Sequence, residues 1–314
     1  MTLRRVVAIV GPTGSGKSAI ALELAQRLGG EIVNADSRQV YRGMDIGTAK
    51  PAVAERKLVR HHLYDICGPT ESYSLALYRE QALATFDALW AKGTFPWLVG
   101  GTGQYVWALL ENWSVPEVPP DEELRAQLAA EAEEYGADSL HGRLAGVDPL
   151  AADRIDARNV RRVIRALEVY EHTGTPISDW QTKRAPDFEH LLFGIDVPRD
   201  TLDERIERRA DAMFEGGFVD EVRSLLGAGV LPDASAMSSI GYAEVAKHLA
   251  GELSLDEAIE LTKRATRRLA RRQAQWFRRD DPRITWVQDA DDIDLQANIF
   301  TGACTNVIRG ANRG

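Results

Sequence analysis

The sequence predicts an α/β fold: a parallel sheet covered by helices on both faces, interrupted by an inserted all-helical subdomain. Three observations carry that prediction. Strand-like apolar runs alternate with helical patterns from Val6 to Tyr105, and the alternation resumes near Leu191. Between Val115 and Glu189 no strand pattern appears, and Glu, Ala, Arg and Leu dominate. A glycine-rich turn, GPTGSGKS at residues 11–18, joins the first apolar run to the first amphipathic helix.

The elements follow in order. VVAIV reads as a first strand and residues 17–28 as a helix. EIVNA is a second strand leading into a polar loop, and HHLYDI, residues 61–66, a third strand. SLALYREQALATFDALWAKG is helical, and FPWLVGGTGQY is a fourth strand entering a glycine turn. After the insertion LLFGIDV, residues 191–197, restores the sheet. TLDERIERRADAMFEGG, FVDEVRSLLGAG and LSLDEAIELTKRATRRLARRQAQWFRR are helical, and ITWVQ, residues 284–288, is a last strand. The tail from Ala297 onward is expected to be partly frayed. The catalytic core is therefore assigned to residues 1–114 and 190–314, and the helical insertion to residues 115–189.

The turn at residues 11–18 has the P-loop pattern G-x-x-x-x-G-K-S in its required strand–turn–helix context, so the core is predicted to be P-loop NTPase-like. In the loop Gly11, Pro12, Thr13, Gly14, Ser15 and Gly16, the glycines let backbone N–H groups close round a phosphate. Lys17 adds a point charge, and the Ser18 hydroxyl can help hold Mg²⁺. An incidental lysine in a glycine turn is the bland alternative, and the flanking strand and helix outweigh it. The motif does not choose the phosphate ester, since an allylic diphosphate offers oxygens like those of a nucleotide. No apolar strand ending in Asp follows as the usual second metal-holding element; Asp36 is the nearest candidate.

The chain has 314 residues, 44% of them hydrophobic, enough for a large core. Its net charge of -9 argues mildly against a polyanionic partner. Distribution matters more than the sum. Acids crowd into residues 116–138, whereas Arg161, Arg162 and Arg165 form one basic group. Lys263, Arg264, Arg267, Arg268, Arg271, Arg272, Arg278 and Arg279 form another, on a helix with Leu261, Ala265, Leu269 and Trp276 on one side and most of the cations elsewhere. A solvated face is the ordinary reading of such runs; two of them in an acidic chain favour phosphate binding. The N-terminal apolar run stops at Gly11 and Pro12, too early for a signal peptide or a membrane span. Cys67 and Cys304, the two cysteines, are too few for a disulfide framework or a cysteine-rich zinc site. A cytoplasmic enzyme without a membrane partner is expected.

GPTGSGKS, NADSRQVYRGMDIGTAKP, VGGTGQY, NVRRVIRALEV, RIERRADAMFEGG, SSIGYAEV and TKRATRRLARRQAQWFRR occur in this order. Together they resemble the bacterial tRNA dimethylallyltransferase (tRNA isopentenyltransferase) family over nearly the whole chain. The resemblance implies a P-loop core like that of nucleotide kinases and a helical insertion that grips the tRNA anticodon stem-loop. It also implies the reaction. A dimethylallyl group passes from dimethylallyl diphosphate to N6 of the adenosine beside the anticodon, position 37, in tRNAs reading codons that start with U. N6-dimethylallyladenosine and diphosphate result. A monomer using Mg²⁺ is expected. The sequence departs from the family at Gly14 and Ser18, where Ala and Thr are usual, and at Gln104, where an aliphatic residue is usual.

The chemistry suits the residues. An exocyclic adenine amine becomes acidic as it attacks an allylic carbon, and a carboxylate held against it can take that proton. Asp36, at a strand end behind the P-loop, is the candidate base; a helix cap or metal ligand is its bland alternative. Negative charge grows on the departing diphosphate, so cations and fixed N–H groups assist. Thr13, Lys17 and Ser18 are candidates, with Arg205 and Arg209 at i and i+4 on one helix face. The resemblance favours Arg209 as a diphosphate ligand and a catalytic group with Asp36 and Thr13; the alternative pairs it with Glu207 or Asp211. It further places Asp36, Ser37, Arg38, Gln39, Thr102 and the run Arg161, Arg162, Val163, Ile164 and Arg165 against tRNA. A hydroxyl and an amide suit base edges because both donate and accept. Competing readings are an adenylate (AMP or ATP) isopentenyltransferase, a small-molecule P-loop kinase, and a non-enzymatic RNA-binding module. The insertion and arginine clusters argue against the first two; Lys17 and Asp36 argue against the third.

Overall fold

Strands β1 (Arg5–Val10), β2 (Glu31–Asn34), β3 (His61–His62), β4 (Pro96–Gly100), β5 (Glu189–Ile195) and β6 (Thr285–Val287) form one sheet. The computed structural model describes residues 4–180 and 182–302. Every pairing in the sheet is parallel, and the strand order is β3-β2-β4-β1-β5-β6. The central strands β1 and β4 are buried almost throughout, as near-continuous apolar runs in a covered parallel sheet must be. Val7, Ile9, Trp97, Val99, Phe193 and Ile195 meet the helices Lys17–Leu28 and Asp291–Thr301 in one core.

The sheet and its P-loop connection match the expected α/β architecture; the length of the third strand does not. The third strand pairs only at His61 and His62. Leu63 and Asp65 take left-handed backbone, with φ of 63° and 56°. That turn aims the Asp65 carboxylate at Lys50 and Arg56 instead of continuing the ladder. The first part of the tail is ordered: Ala297 is fully buried in the helix Asp291–Thr301. Its continuation from residue 303, including Cys304, lies outside the described residues. The long basic helix, Leu255–Trp276, buries Ala258, Thr262, Ala265, Ala270 and Gln273, and leaves Leu261 and Trp276 part-exposed. Small residues line its buried face because it packs closely on the helices Arg199–Glu215 and Tyr242–Leu249.

The loop after β2 has a core of its own. Val40, Tyr41 and Met44 are buried with Phe218, Val222, Leu225, Met237, Tyr242 and Val245. Lys50 closes the loop. Its side chain is 1% exposed, and its ammonium donates to Asp45 at 2.7 Å and to Asp65 and the Tyr41 carbonyl at 2.5 Å. Glu221 accepts from the N–H groups of Asp45 (2.8 Å), Ile46 (2.7 Å) and Gly47 (3.2 Å), and from the Tyr242 hydroxyl (2.6 Å).

A second compact unit comprises Ser74–Ala76 and Glu111–Ala185. Among its described residues it is helical, with Glu122–Tyr135, Ala137–Val147, Pro149–Arg154, Val160–Thr173 and Ile177–Trp180. Leu128, Leu140, Leu144, Val163, Ile164 and Leu167 form its core. Glu168 is fully buried there and saturated: Arg125 donates twice, Arg165 once, and the Asp121 N–H once. Among the described residues no helix is long and apolar enough to cross a membrane.

Removing the Lys50 ammonium leaves Asp45, Asp65 and the Tyr41 carbonyl without their shared donor. Lys50→Ala is expected to lower stability by about 3 kcal/mol, read as a lower urea midpoint at unchanged slope. A midpoint equal to the parent's would show that the buried ammonium contributes nothing net.

Candidate active site

β1 ends at Val10, and the chain turns through residues 11–16 before the helix begins at Lys17. Gly16 caps that helix with φ of 90°, a conformation costly for residues with a Cβ. No side chain caps the helix and no acid lies in its first turn, so its free N–H groups and dipole face any anion placed there. Lys17 donates to the Pro12 carbonyl at 3.3 Å. The helix Arg199–Glu215 delivers two more cations. Arg205 donates to the Ser15 carbonyl at 3.4 Å, and Arg209 donates to the Thr13 hydroxyl. The expected i, i+4 pair therefore meets the P-loop. Glu207 and Asp211, the alternative partners of Arg209, are taken by Arg267 at 2.5 Å and Lys263 at 2.7 Å. Burial holds Lys17 down at about 8, with the Asp36 carboxylate raising it and the Arg209 guanidinium lowering it. Burial also lowers Arg209, which Asp36 partly offsets.

Asp36 follows the end of β2. Asn34, fully buried, clamps it: the Asp36 N–H donates to Asn34 Oδ1 at 2.9 Å, and Asn34 Nδ2 donates to the carbonyls of Asp36 and Leu63 at 3.0 Å. The Arg38 N–H donates to Asp36 Oδ1 at 2.9 Å. The second carboxylate oxygen carries no hydrogen bond among the described residues. The Asp36 charge acts on Lys17 and Arg209, so the loop carboxylate and the P-loop cations share one site. The Thr102 N–H donates to the Ala35 carbonyl at 3.1 Å, and its hydroxyl accepts from the Ser37 N–H at 3.0 Å. Gln39 is 9% exposed, and its amide nitrogen donates to the carbonyls of Thr48 and Ala49 at 3.0 Å. Only its carbonyl oxygen remains for a ligand. Arg38 donates to the Ser235 carbonyl at 3.1 Å.

Sequence reasoning missed Asn34, Lys50, Glu221 and Gln273. Gln273 is 6% exposed; it accepts from the Thr13 N–H at 2.8 Å and donates to the Gly101 carbonyl at 3.0 Å. Its signal was a glutamine on the small-residue stripe of a helix whose cations drew attention first. Ser18 is exposed, and no cluster of three or more His, Cys, Asp or Glu able to hold a metal occurs among the described residues. A divalent cation at the P-loop would therefore rest on the Ser18 hydroxyl, substrate phosphates and water, a donor set that fits Mg²⁺.

In the helical unit the expected basic run divides. Arg161 and Arg162 are exposed and make no ion pair among the described residues. Arg165 is committed to Glu168 at 2.5 Å and to the Val118 carbonyl at 3.0 Å. Val163 and Ile164 are 0% and 8% exposed in the unit's core. Their side chains turn into the core, whereas Arg161 and Arg162, just before them, face outward.

Residues 39–280 match the family model described as IPP transferase, and residues 4–66 match that described as isopentenyl transferase. A tRNA dimethylallyltransferase of Roseiflexus sp. (strain RS-1) is 48% identical over 93% of this chain and 96% of its own. The full-length tRNA isopentenylpyrophosphate transferase of Bacillus halodurans superposes with TM-score 0.69 at 39% identity, covering 99% of this chain and 100% of that one. A eukaryotic dimethylallyltransferase acting on tRNA gives TM-score 0.76 at 26% identity, covering 99% of this chain and 80% of that one.

Lys17 yields a prediction for diphosphate. In the free protein its ammonium loses a proton near pH 8. A bound polyanion favours the charged form and moves that loss upward, so binding takes up a proton above this pH. Affinity for inorganic diphosphate should hold below pH 8 and fall above it, by at most about tenfold per pH unit. Calorimetric titration across that range checks this; Lys17→Arg should abolish the inflection, and an inflection that persists would assign it elsewhere.

Proposed function

The chain belongs to the IPP transferase family, and from that premise we propose that it is a tRNA dimethylallyltransferase. It moves the dimethylallyl group of dimethylallyl diphosphate to N6 of the adenosine beside the anticodon, giving N6-dimethylallyladenosine and diphosphate. The observation that carries this reading is Asp36. One of its oxygens is held by the Arg38 N–H, the other carries no partner among the described residues, and its charge reaches Lys17 and Arg209. A base for the attacking amine thus sits beside cations for the leaving group.

As N6 attacks the allylic carbon, the carbon–oxygen bond to diphosphate breaks and the amine proton passes to Asp36. Lys17, Arg209 and the free N–H groups of the helix Lys17–Leu28 take up the charge growing on diphosphate. Thr13 Oγ1 accepts from Arg209, so its own proton is free to donate to the departing oxygen. Mg²⁺, held in part by Ser18, adds charge neutralisation on the diphosphate when bound. Ser37, Arg38, the Gln39 carbonyl and Thr102 present groups suited to anticodon-loop bases, which must be splayed out to react. Arg161 and Arg162 grip stem phosphates.

Asp36→Asn should keep tRNA affinity and lower the single-turnover rate by roughly 10²–10⁴-fold. Labelled dimethylallyl diphosphate offered with tRNA or with AMP tests both base and acceptor; label in AMP but not in tRNA would replace this reading with the adenylate one.

Replacing Arg161 and Arg162 by Ala should flatten the plot of log tRNA affinity against log salt by about 1.4–1.8. Donor affinity should stay unchanged. An unchanged slope would make both arginines an ordinary solvated face.

A further inference from the structure

Gln273 joins two segments that bear on the two substrates. Its Oε1 accepts from the Thr13 N–H at 2.8 Å, and its Nε2 donates to the Gly101 carbonyl at 3.0 Å. Thr13 is the P-loop residue whose hydroxyl receives Arg209. Gly101 precedes Thr102, which receives the Ser37 N–H and donates its own N–H to Ala35, the residue before Asp36. A Cβ on Gly101 would lie 2.3 Å from Gln273 Nε2, so glycine there is what lets the amide approach. Gln273 is 6% exposed, and its bond to the Gly101 carbonyl is buried, so losing that bond leaves a carbonyl with no ready replacement donor.

Two features separate this from ordinary packing. The bond to Thr13 removes a P-loop N–H from the set that can meet phosphate, a sacrifice that stability alone does not require. The residue also needs donor and acceptor at once, which among side chains of this length only an amide or a protonated carboxyl supplies.

We propose that Gln273 is a positioning residue. It sets the distance between the leaving-group site at Thr13 and the acceptor loop at Thr102, Ser37 and Asp36, and touches neither substrate. The proposal rests on the prenyl-transfer reading above. It makes the rate of transfer depend on the protonation state of whatever replaces this amide.

Gln273→Glu tests it. A protonated Glu reproduces both bonds, its carbonyl oxygen accepting from Thr13 and its O–H donating to Gly101. The ionised form has no proton for Gly101 and repels that carbonyl. Buried carboxyls titrate as high as about pH 8–9. The ratio of variant to wild-type kcat should therefore be low at high pH, by up to about 100-fold, and climb toward one as pH falls to about 6. The KM for dimethylallyl diphosphate and the Kd for tRNA should move little. Gln273→Met, which loses both bonds, should be slow at every pH, and thermal melts establish that both variants are folded. A pH-independent ratio for Gln273→Glu, or a Gln273→Met variant as fast as wild type, overturns the proposal. Wild-type protein that makes no prenylated tRNA overturns the prenyl-transfer reading itself, and the two failures are told apart in one experiment.

Discussion

The Glu221 carboxylate turns a polar connection into a fixed one. Three successive N–H groups of the loop, from Asp45 to Gly47, point at it, and the Tyr242 hydroxyl takes its remaining lone-pair direction. A carboxylate is the side chain that can accept so many donors at once. Lys50 does the converse a few residues on, spending its ammonium on Asp45, Asp65 and the Tyr41 carbonyl. Between these anchors Val40, Tyr41 and Met44 are buried as core residues. The segment is thus tied at its far end by charge and in its middle by apolar burial. Its near end, where Asp36 sits, inherits that rigidity through the Asn34 clamp.

The same economy of charge governs the leaving-group side. Arg205 and Arg209 share a helix with Glu207 and Asp211, but residues two apart on a helix point to different sides. Arg267 and Lys263 on the helix Leu255–Trp276 take those acids. The arginines meet the P-loop on one side of their helix, and on another the basic helix supplies counter-ions to its acids. Its net positive character, conspicuous in an acidic chain, is partly consumed inside the protein.

Much of this was legible in the residues. β1, β2, β4 and the P-loop follow from apolar runs and a glycine pattern with one structural solution, and Arg205 and Arg209 from their helical spacing. What escaped depends on partners distant in sequence. Gln273 and Thr13 are 260 residues apart, and Glu221 lies 174 residues from Gly47, so no local pattern announces either contact. The third strand was overextended because His61 to Ile66 has a β-like composition. The left-handed turn at Leu63 and Asp65 is imposed by the ion pairs of Asp65 with Lys50 and Arg56. The resemblance names Arg161 to Arg165 as one run, and the helix turns Val163 and Ile164 into the core while Arg161 and Arg162 face outward.

The loop anchors at Glu221 and Lys50 are expected to act on prenyl transfer through Asp36. A double-mutant cycle on Glu221→Gln and Asp36→Asn, read as single-turnover prenyl transfer to tRNA with both folded states checked by melting, tests it most directly. Glu221→Gln should slow transfer when Asp36 is present and cost almost nothing further once the carboxylate is gone. Equal slowing in both backgrounds would contradict the account, because the anchor would then support the reaction by some route that does not pass through the base.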